Sequence, residues 1–115
     1  MGETIFSKII KKEIPADIVF ESDSVLAFKD IRPQAPVHVL IIPKIVIPKV
    51  TDLKGKEHAQ LLGEMFDAAN KIAKDLGISD EGFRLVFNCG PNAGQDVYHL
   101  HMHLLGGRQM KWPPG

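Results

Sequence analysis

The residues best suited to chemistry are three histidines that alternate with apolar residues near the C-terminus, His99, His101 and His103. Alternate side chains of a β-strand point to the same face, so a strand here would place the three imidazoles on one face and the intervening apolar residues on the other. A strand that needed only a polar face would more simply use Ser, Thr or Lys. The alternation therefore predicts a functional face on a core strand.

Two chemistries could use this row of imidazoles. Zinc needs ligand nitrogens about 2 Å from the metal, whereas His99 and His103 would be roughly 13 Å apart along an extended strand. Two neighbouring histidines could share a metal with His38 or Asp96, but all three could do so only if the strand bent. Alternatively, a neutral His101 is a nucleophile with donors on both sides. Phosphorus is then a suitable target, because its oxygens can bind those donors.

Other polar residues could converge on the row. His38 lies in the apolar stretch 37–42, where a buried imidazole needs a hydrogen-bond partner or a ligand. Asn88 and Gln95 lie at the two ends of a glycine-containing loop that leads to the histidines. Glycines let backbone N–H groups approach a phosphate, although this loop lacks the ending of a known phosphate-binding motif. Its position before the histidines is what favours a phosphate site.

The elements that position these residues follow from periodicity and breakers. Thr4 can cap a short helix that ends before Pro15, and the strands are predicted over 18–21, 25–31, 37–42, 83–88 and 99–105. A long helix is predicted over 56–76 with Gly77 as its stop, and His58 is assigned to solvent. The apolar stripe of this helix is Leu62, Met65, Phe66, Ala69, Ile72, Ala73 and Leu76. The connections favour an α+β fold, with helices packed on one face of a mainly antiparallel sheet.

Composition limits the class of protein. A chain of 115 residues suits one domain, residues 1–115, and its single cysteine, Cys89, excludes an intramolecular disulfide and favours a reducing compartment. Fourteen basic and fourteen acidic residues leave no net charge to attract nucleic acid or an anionic membrane. The sequence shows neither a signal peptide nor an apolar run of membrane-spanning length. We therefore expect a cytoplasmic protein with no nucleic-acid or membrane partner.

Several motifs together resemble a known family. The pattern His-φ-His-φ-His-φ-φ, where φ is an apolar residue, is the signature of the histidine triad (HIT) superfamily. The other matching segments point to its branch of histidine triad nucleotide-binding proteins. They are Glu3 to Ile10, Glu13-Ile14-Pro15-Ala16, Ala27-Phe28-x-Asp30-Ile31, Pro33-Gln34-Ala35-Pro36-x-His38, Ile42-Pro43-Lys44 and the ending Gly106 to Gly115.

This resemblance implies a purine nucleoside phosphoramidase. Such an enzyme cleaves the P–N bond of AMP or GMP phosphoramidates, including adenylated lysine, and its substrates extend to aminoacyl-adenylates. The reaction passes through a nucleotidyl-histidine that water resolves, with no cofactor and no metal. The implied fold is a five-stranded antiparallel sheet with two helices, paired as a homodimer into a ten-stranded sheet.

The resemblance also implies a role for each matching residue. His101 would be the nucleophile, His99 the histidine that orders the triad, and His38 an accessory histidine of the catalytic group. The nucleotide and phosphate contacts would be Asn88, Gln95, Asp96 and His103. Asp30 would bind the ribose, and the purine pocket would be walled by Ile5, Phe6, Ile9, Phe28, Ile31 and Leu40. Trp112, in the tail 106–115, would reach the partner's site.

Three positions depart from the family pattern, and two other functions remain open. Asp96 replaces a common serine that is linked with protonating the leaving amine, and Val46 replaces a common histidine. Cys89 stands where other polar residues are common and is interpreted as a structural thiol. The first alternative is a dinucleoside polyphosphate hydrolase of the same superfamily, which the short chain and Trp112 disfavour. The second is a non-catalytic nucleotide- or zinc-binding regulatory module. A neutral nucleophile predicts activity that rises with pH through an apparent pKa near ~6.5.

Overall fold

A five-stranded antiparallel sheet forms the centre of the structure, a computed structural model that describes residues 3–115. Its strands are β1 (Ile18–Glu21), β2 (Val25–Lys29), β3 (Val37–Pro43), β4 (Phe83–Phe87) and β5 (Met102–Gly106). Their order is β1-β2-β3-β5-β4, and every neighbouring pair is antiparallel. The predicted α+β fold, with five antiparallel strands and two helices, is confirmed.

The two helices, α1 (Ile5–Ile10) and α2 (Ala59–Asp75), pack on opposite faces of the sheet. Val25 and Ala27 of β2 belong to the apolar cluster beneath α2, whereas Leu26 and Phe28 belong to the cluster beneath α1. The prediction that both helices cover one face is therefore wrong. The signal lay in β2 and β3, because strands that are apolar at successive residues are typical of a sheet covered on both sides.

The short helix α1 is held by its cap and by packing. Thr4 and Ser7 form a capping box in which each side chain accepts the other residue's backbone N–H, at 3.2 and 2.9 Å. A helix of six residues is marginal alone. Phe6 and Ile9 are buried, and the ring of Phe6 meets Phe28 edge-on at 5.4 Å. This packing fixes Phe6 on the face of the sheet that carries the histidines.

The long helix α2 confirms most of the predicted stripe. Phe66 and Leu76 are the exceptions, with 46% and 39% of their surface exposed. Phe66 lies about 100° around the helix from Met65, at the edge of the stripe, and Leu76 is already the C-cap residue. The buried residues of α2 are Met65, Ala68, Ala69, Ile72 and Ala73. Within residues 3–115, neither helix is long and apolar enough to cross a membrane.

His58 is less exposed than predicted. It lies at the N-cap of α2, where its Nδ1 accepts the N–H of Lys54 at 2.9 Å. Its side chain is only 12% exposed, so the assignment to solvent is wrong. The ring has a local structural role, away from the other four histidines.

The strand that carries the triad is shorter than predicted. The ladders to β3 and β4 both end at Met102, so His99 and His101 precede β5. Instead of pairing in the sheet, the N–H of Leu100 is donated to the carbonyl of Ile47 at 2.6 Å. The alternation of faces still holds, because Leu100, like Met102 and Leu104 of β5, lies in the cluster beneath α2. The 43–48 segment thus holds the backbone at Leu100, between the first two histidines of the triad.

Candidate active site

The triad histidines lie beside one another on the α1 side of the sheet. His99 is fully buried, His101 is 5% exposed and His103 is half-buried. The ring centroids of His101 and His103 are 5.0 Å apart, and the ring of Phe6 meets His101 edge-on at the same distance. The described structure therefore brings the predicted nucleophile, the predicted phosphate contact and one predicted pocket residue together.

Backbone hydrogen bonding defines which nitrogen of His101 carries the proton. Its Nδ1 lies 2.8 Å from the carbonyl oxygen of His99. A carbonyl can only accept, so Nδ1 must be the donor, and Nε2 of the neutral ring retains its lone pair. This is the protonation state that a nucleophilic imidazole needs.

His99 holds the segment that supplies this carbonyl. Its Nε2 donates to the carbonyl of Pro43 at 2.7 Å, so its ring is tied to the end of β3. Its Nδ1 is buried and has no hydrogen-bond partner among the described residues. The side chain of His99 anchors the backbone whose carbonyl orients His101. The ordering role of His99 remains a prediction.

A second chain of hydrogen bonds runs from the backbone to His103. The N–H of Gln34 is donated to Nδ1 of His38 at 3.0 Å, so in a neutral ring the proton of His38 is on Nε2. This Nε2 lies 2.9 Å from Nδ1 of His103, which accepts its hydrogen. The proton of His103 is therefore on Nε2, and the free end of this ring is a donor beside His101.

Burial keeps these imidazoles neutral. The pKa of His103 is lowered to about 4, chiefly by burial and then by the neighbouring His101 and His38, while the carboxylates of Asp30 and Asp96 oppose the shift. Burial is also the main cause of the lowered pKa values of His38 and His99. Near neutral pH the rings of His38, His99 and His103 are therefore uncharged N–H donors.

The loop before the triad is closed by the side chain of Gln95. Its Oε1 accepts the N–H of Gly90 at 3.0 Å, and its Nε2 donates to the carbonyls of Pro48 and Val97 at 2.9 and 3.0 Å. Both amide hydrogens are thus used within the protein. The family resemblance implies Gln95 as a phosphate contact, which remains a prediction. In the structure its side chain clamps the loop to the 43–48 segment.

The other loop residues have different surroundings. Asn88 follows β4 and donates from Nδ2 to the carbonyl of Ala93 at 2.8 Å. Asp96 is exposed, and its carboxylate opposes the burial that lowers the pKa of His103. Their roles as phosphate or leaving-group contacts remain predictions.

Asp30, His38 and His103 have the spacing of a metal site, because one ligand atom from each lies within 4.8 Å of the others. Their protonation pattern does not fit a metal. A metal on Nε2 of His38 would displace the proton to Nδ1, where it would face the N–H of Gln34 as donor against donor. These residues are better described as a hydrogen-bonded chain than as a ligand set.

The predicted pocket residues divide into two groups. Phe6, Ile9, Phe28 and Leu40 are buried together in the cluster beneath α1. Ile5 and Ile31 are 50% and 88% exposed, and Ile31 lies beyond the end of β2. Asp30 also follows β2, which ends two residues earlier than predicted, and its Oδ1 accepts the N–H of Arg32 at 2.8 Å.

The C-terminal tail is anchored by two arginines that sequence reasoning did not identify. Arg108 donates from Nε and one terminal nitrogen to the carbonyl of Gln34 at 3.2 and 3.1 Å. Arg84 donates to the carbonyl of Lys111 at 3.0 Å, and its guanidinium carbon is 5.9 Å from the ring centroid of Trp112. Trp112 itself is 81% exposed. Both arginines bind backbone carbonyls, which every residue carries, so no sequence pattern could have identified these contacts.

The sheet order and the site place this chain in a class of proteins that share two features. Histidines lie at the start of an interior strand, and they face a short N-terminal helix. The chain belongs to the HIT domain family, which its residues 11–110 match. It is 58% identical over 108 residues to a purine nucleoside phosphoramidase of Escherichia coli K12, covering 94% of this chain and 90% of the relative. It is 54% identical over 114 residues to a 14 kDa zinc-binding protein of Brassica juncea, covering 98% and 100%.

A solved structure agrees with this assignment. A HIT family hydrolase from Legionella pneumophila superimposes with a TM-score of 0.95 at 52% identity, covering 98% of this chain and 100% of that chain. The resemblance to the histidine triad superfamily is confirmed.

Proposed function

We propose that this chain is a purine nucleoside phosphoramidase that hydrolyses the P–N bond of AMP and GMP phosphoramidates. The observation that carries the proposal is the tautomer of His101, whose Nδ1–H is held by a backbone carbonyl while Nε2 keeps its lone pair. A neutral imidazole beside a neutral N–H donor is suited to attack an anionic phosphorus centre. A carboxylate nucleophile would be repelled by the negative charge of the phosphate oxygens. Adenylated lysine and aminoacyl-adenylates fall within this substrate class.

The reaction has two displacements. Nε2 of His101 attacks phosphorus and a new P–N bond forms to the imidazole, while the bond to the amine breaks. The amine leaves with the electron pair of that bond and takes up a proton from solvent. Water then attacks the same phosphorus and gives a proton to solvent, which releases the nucleoside monophosphate and returns the electron pair to Nε2. The Nε2–H of His103 donates to a phosphate oxygen in both steps and stabilises the charge that develops there.

The nucleoside would bind along the α1 side of the sheet. Asp30, whose carboxylate is 19% exposed, would accept hydrogen bonds from the ribose. The purine would contact the apolar residues beneath and beside α1, of which Phe6 also touches His101. Asn88 and Asp96 would contribute to the phosphate and leaving-group side, and the clamp by Gln95 would hold their loop in place.

A homodimer is part of this proposal. The strand β4 is at one edge of the sheet, where its outer N–H and C=O groups can pair with a second copy to give ten continuous strands. The tail 106–115 is tied to this edge by Arg84, so Trp112 would reach the partner's site from there. Light scattering should give the mass of two chains.

The single cysteine also supports a reducing cytoplasmic compartment.

The decisive comparison uses variants of two histidines. His101→Ala should abolish turnover of an adenosine 5'-phosphoramidate but keep AMP affinity within about tenfold, because the base and ribose contacts remain. His58→Ala is the matched control, since it removes the one histidine outside the site and should retain activity. Substantial residual turnover by His101→Ala would refute the proposal. Faster wild-type hydrolysis of a dinucleoside polyphosphate than of the phosphoramidate would favour that alternative.

A further inference from the structure

Asp30 occupies a position between the proposed ribose site and the phosphate-binding histidine. Its Oδ1 is taken by the N–H of Arg32, and its Oδ2 lies 3.4 Å from Nε2 of His38. The side chain of His38 is 3% exposed, whereas that of Asp30 is 19% exposed. The carboxylate can therefore meet a ligand from solvent on one side while it contacts a buried imidazole on the other.

A single hydrogen atom links the three residues. Because Nδ1 of His38 is occupied by the N–H of Gln34, the only hydrogen that the neutral His38 ring can donate is on Nε2. That hydrogen is donated to Nδ1 of His103 at 2.9 Å, and Oδ2 of Asp30 lies 3.4 Å from the same nitrogen as a second, electrostatic contact. A carboxylate is a strong acceptor, so Asp30 competes with His103 for it.

We propose that ribose binding at Asp30 directs this hydrogen to His103, which makes Asp30 and His38 positioning residues for the reaction as well as binding residues. A ribose hydroxyl donating to Oδ2 reduces the acceptor strength of the carboxylate towards His38. Nδ1 of His103 then receives the whole hydrogen bond, and the Nε2–H of His103 is held towards the phosphate. This inference rests on the proposed phosphoramidase function and adds that the ribose promotes the chemical step.

The kinetic consequence is specific. A hydroxyl that contributes only binding energy changes KM, whereas one that also orders His103 changes kcat. With wild-type protein, 2'-deoxy- or 3'-deoxyadenosine 5'-phosphoramidate should show a kcat about tenfold below that of the adenosine compound with the same amine. In Asp30→Asn, the ratio of the two kcat values should fall to about twofold or less, because an amide nitrogen facing His38 no longer competes for its hydrogen. Asp17→Asn, which alters an exposed carboxylate paired with Lys29, is the control and should keep the wild-type ratio.

A second readout needs no turnover. Adenosine has the ribose but no phosphate, so no phosphate oxygen can contact His103 and change its signals directly. In ¹⁵N NMR spectra of the imidazoles, adenosine should shift Nδ1 of His103 towards a more strongly hydrogen-bonded value in the wild type, and not in Asp30→Asn. If the wild type has no phosphoramidase activity, the proposed function is contradicted. The spectrum would still show whether ribose binding at Asp30 is coupled to the hydrogen bond at His103. The coupling is overturned if deoxy substrates change only KM, or if adenosine leaves the His103 signals unchanged.

Discussion

Nδ1 of His101 lies 2.8 Å from the carbonyl oxygen of His99, two residues earlier in the chain. This hydrogen bond makes the backbone of one triad member responsible for the tautomer of the next. The ring of His99 in turn donates to the carbonyl of Pro43, at the end of β3. Orientation of the His101 ring therefore depends on a fully buried side chain, that of His99.

This dependence predicts the effect of removing the ring of His99. His99→Ala should lower kcat by about 10- to 100-fold with a smaller change in KM, because the carbonyl that orients His101 loses its anchor. Stopped-flow turnover of an adenosine 5'-phosphoramidate measures both constants. Thermal unfolding of the same variant is the control for folding, since the substitution also leaves a cavity. Unchanged kcat in a folded variant would exclude the ordering role.

The lowered histidine pKa values predict how stability depends on pH. The pKa of His103 is about 4 in the folded protein, against ~6.5 in an unfolded chain. Between these values the unfolded state binds more protons, so stability must decrease as pH falls from about 6.5 towards about 4. The Tm of the wild type should drop more steeply across this window than that of His103→Gln, which does not titrate there. Parallel Tm curves for the two proteins would contradict the burial of a neutral His103.

The fold was more predictable than the site, for physical reasons. Apolar alternation and helical spacing identify the strands and α2 because burial acts on side chains, which the sequence specifies. The chain of hydrogen bonds from Gln34 through His38 to His103 could not be predicted. Its first donor is a backbone N–H, which any residue except proline supplies. The placement of α1 opposite α2 was available in principle, from strands that are apolar on both faces.

Because the side chain of Gln95 clamps the loop, its removal should destabilise the loop. This outcome differs from the simple loss of a contact to phosphate. Gln95→Ala would leave the N–H of Gly90 and two carbonyls without their partner, which should destabilise the protein by about 1–3 kcal/mol. The loop should also become more susceptible to proteolysis, as measured by limited digestion. Gln60→Ala, which removes an exposed amide on α2, should do neither. A stable variant with a rigid loop and weakened AMP binding would instead support the original phosphate-contact prediction.

Asp96 provides a test of the electrostatics of the site. Burial lowers the pKa of His103 and the carboxylate of Asp96 opposes that shift, so Asp96→Asn should lower this pKa further. NMR titration of the imidazole carbons measures the change. The same substitution should lower KM for the anionic substrate several-fold, because it removes like charge near the phosphate. Asp80→Asn, in an exposed turn after α2, is the control, and an unchanged His103 titration in Asp96→Asn would contradict this placement.

The covalent role of His101 is tested most directly by intact-protein mass spectrometry after rapid mixing of the wild type with adenosine 5'-phosphoramidate and quenching under conditions that preserve phosphohistidine. A transient species heavier by one adenylyl group is expected, with peptide mapping placing the group on His101 and with no such species in His101→Ala. An adenylyl group on another residue, or its formation in His101→Ala, would contradict the account.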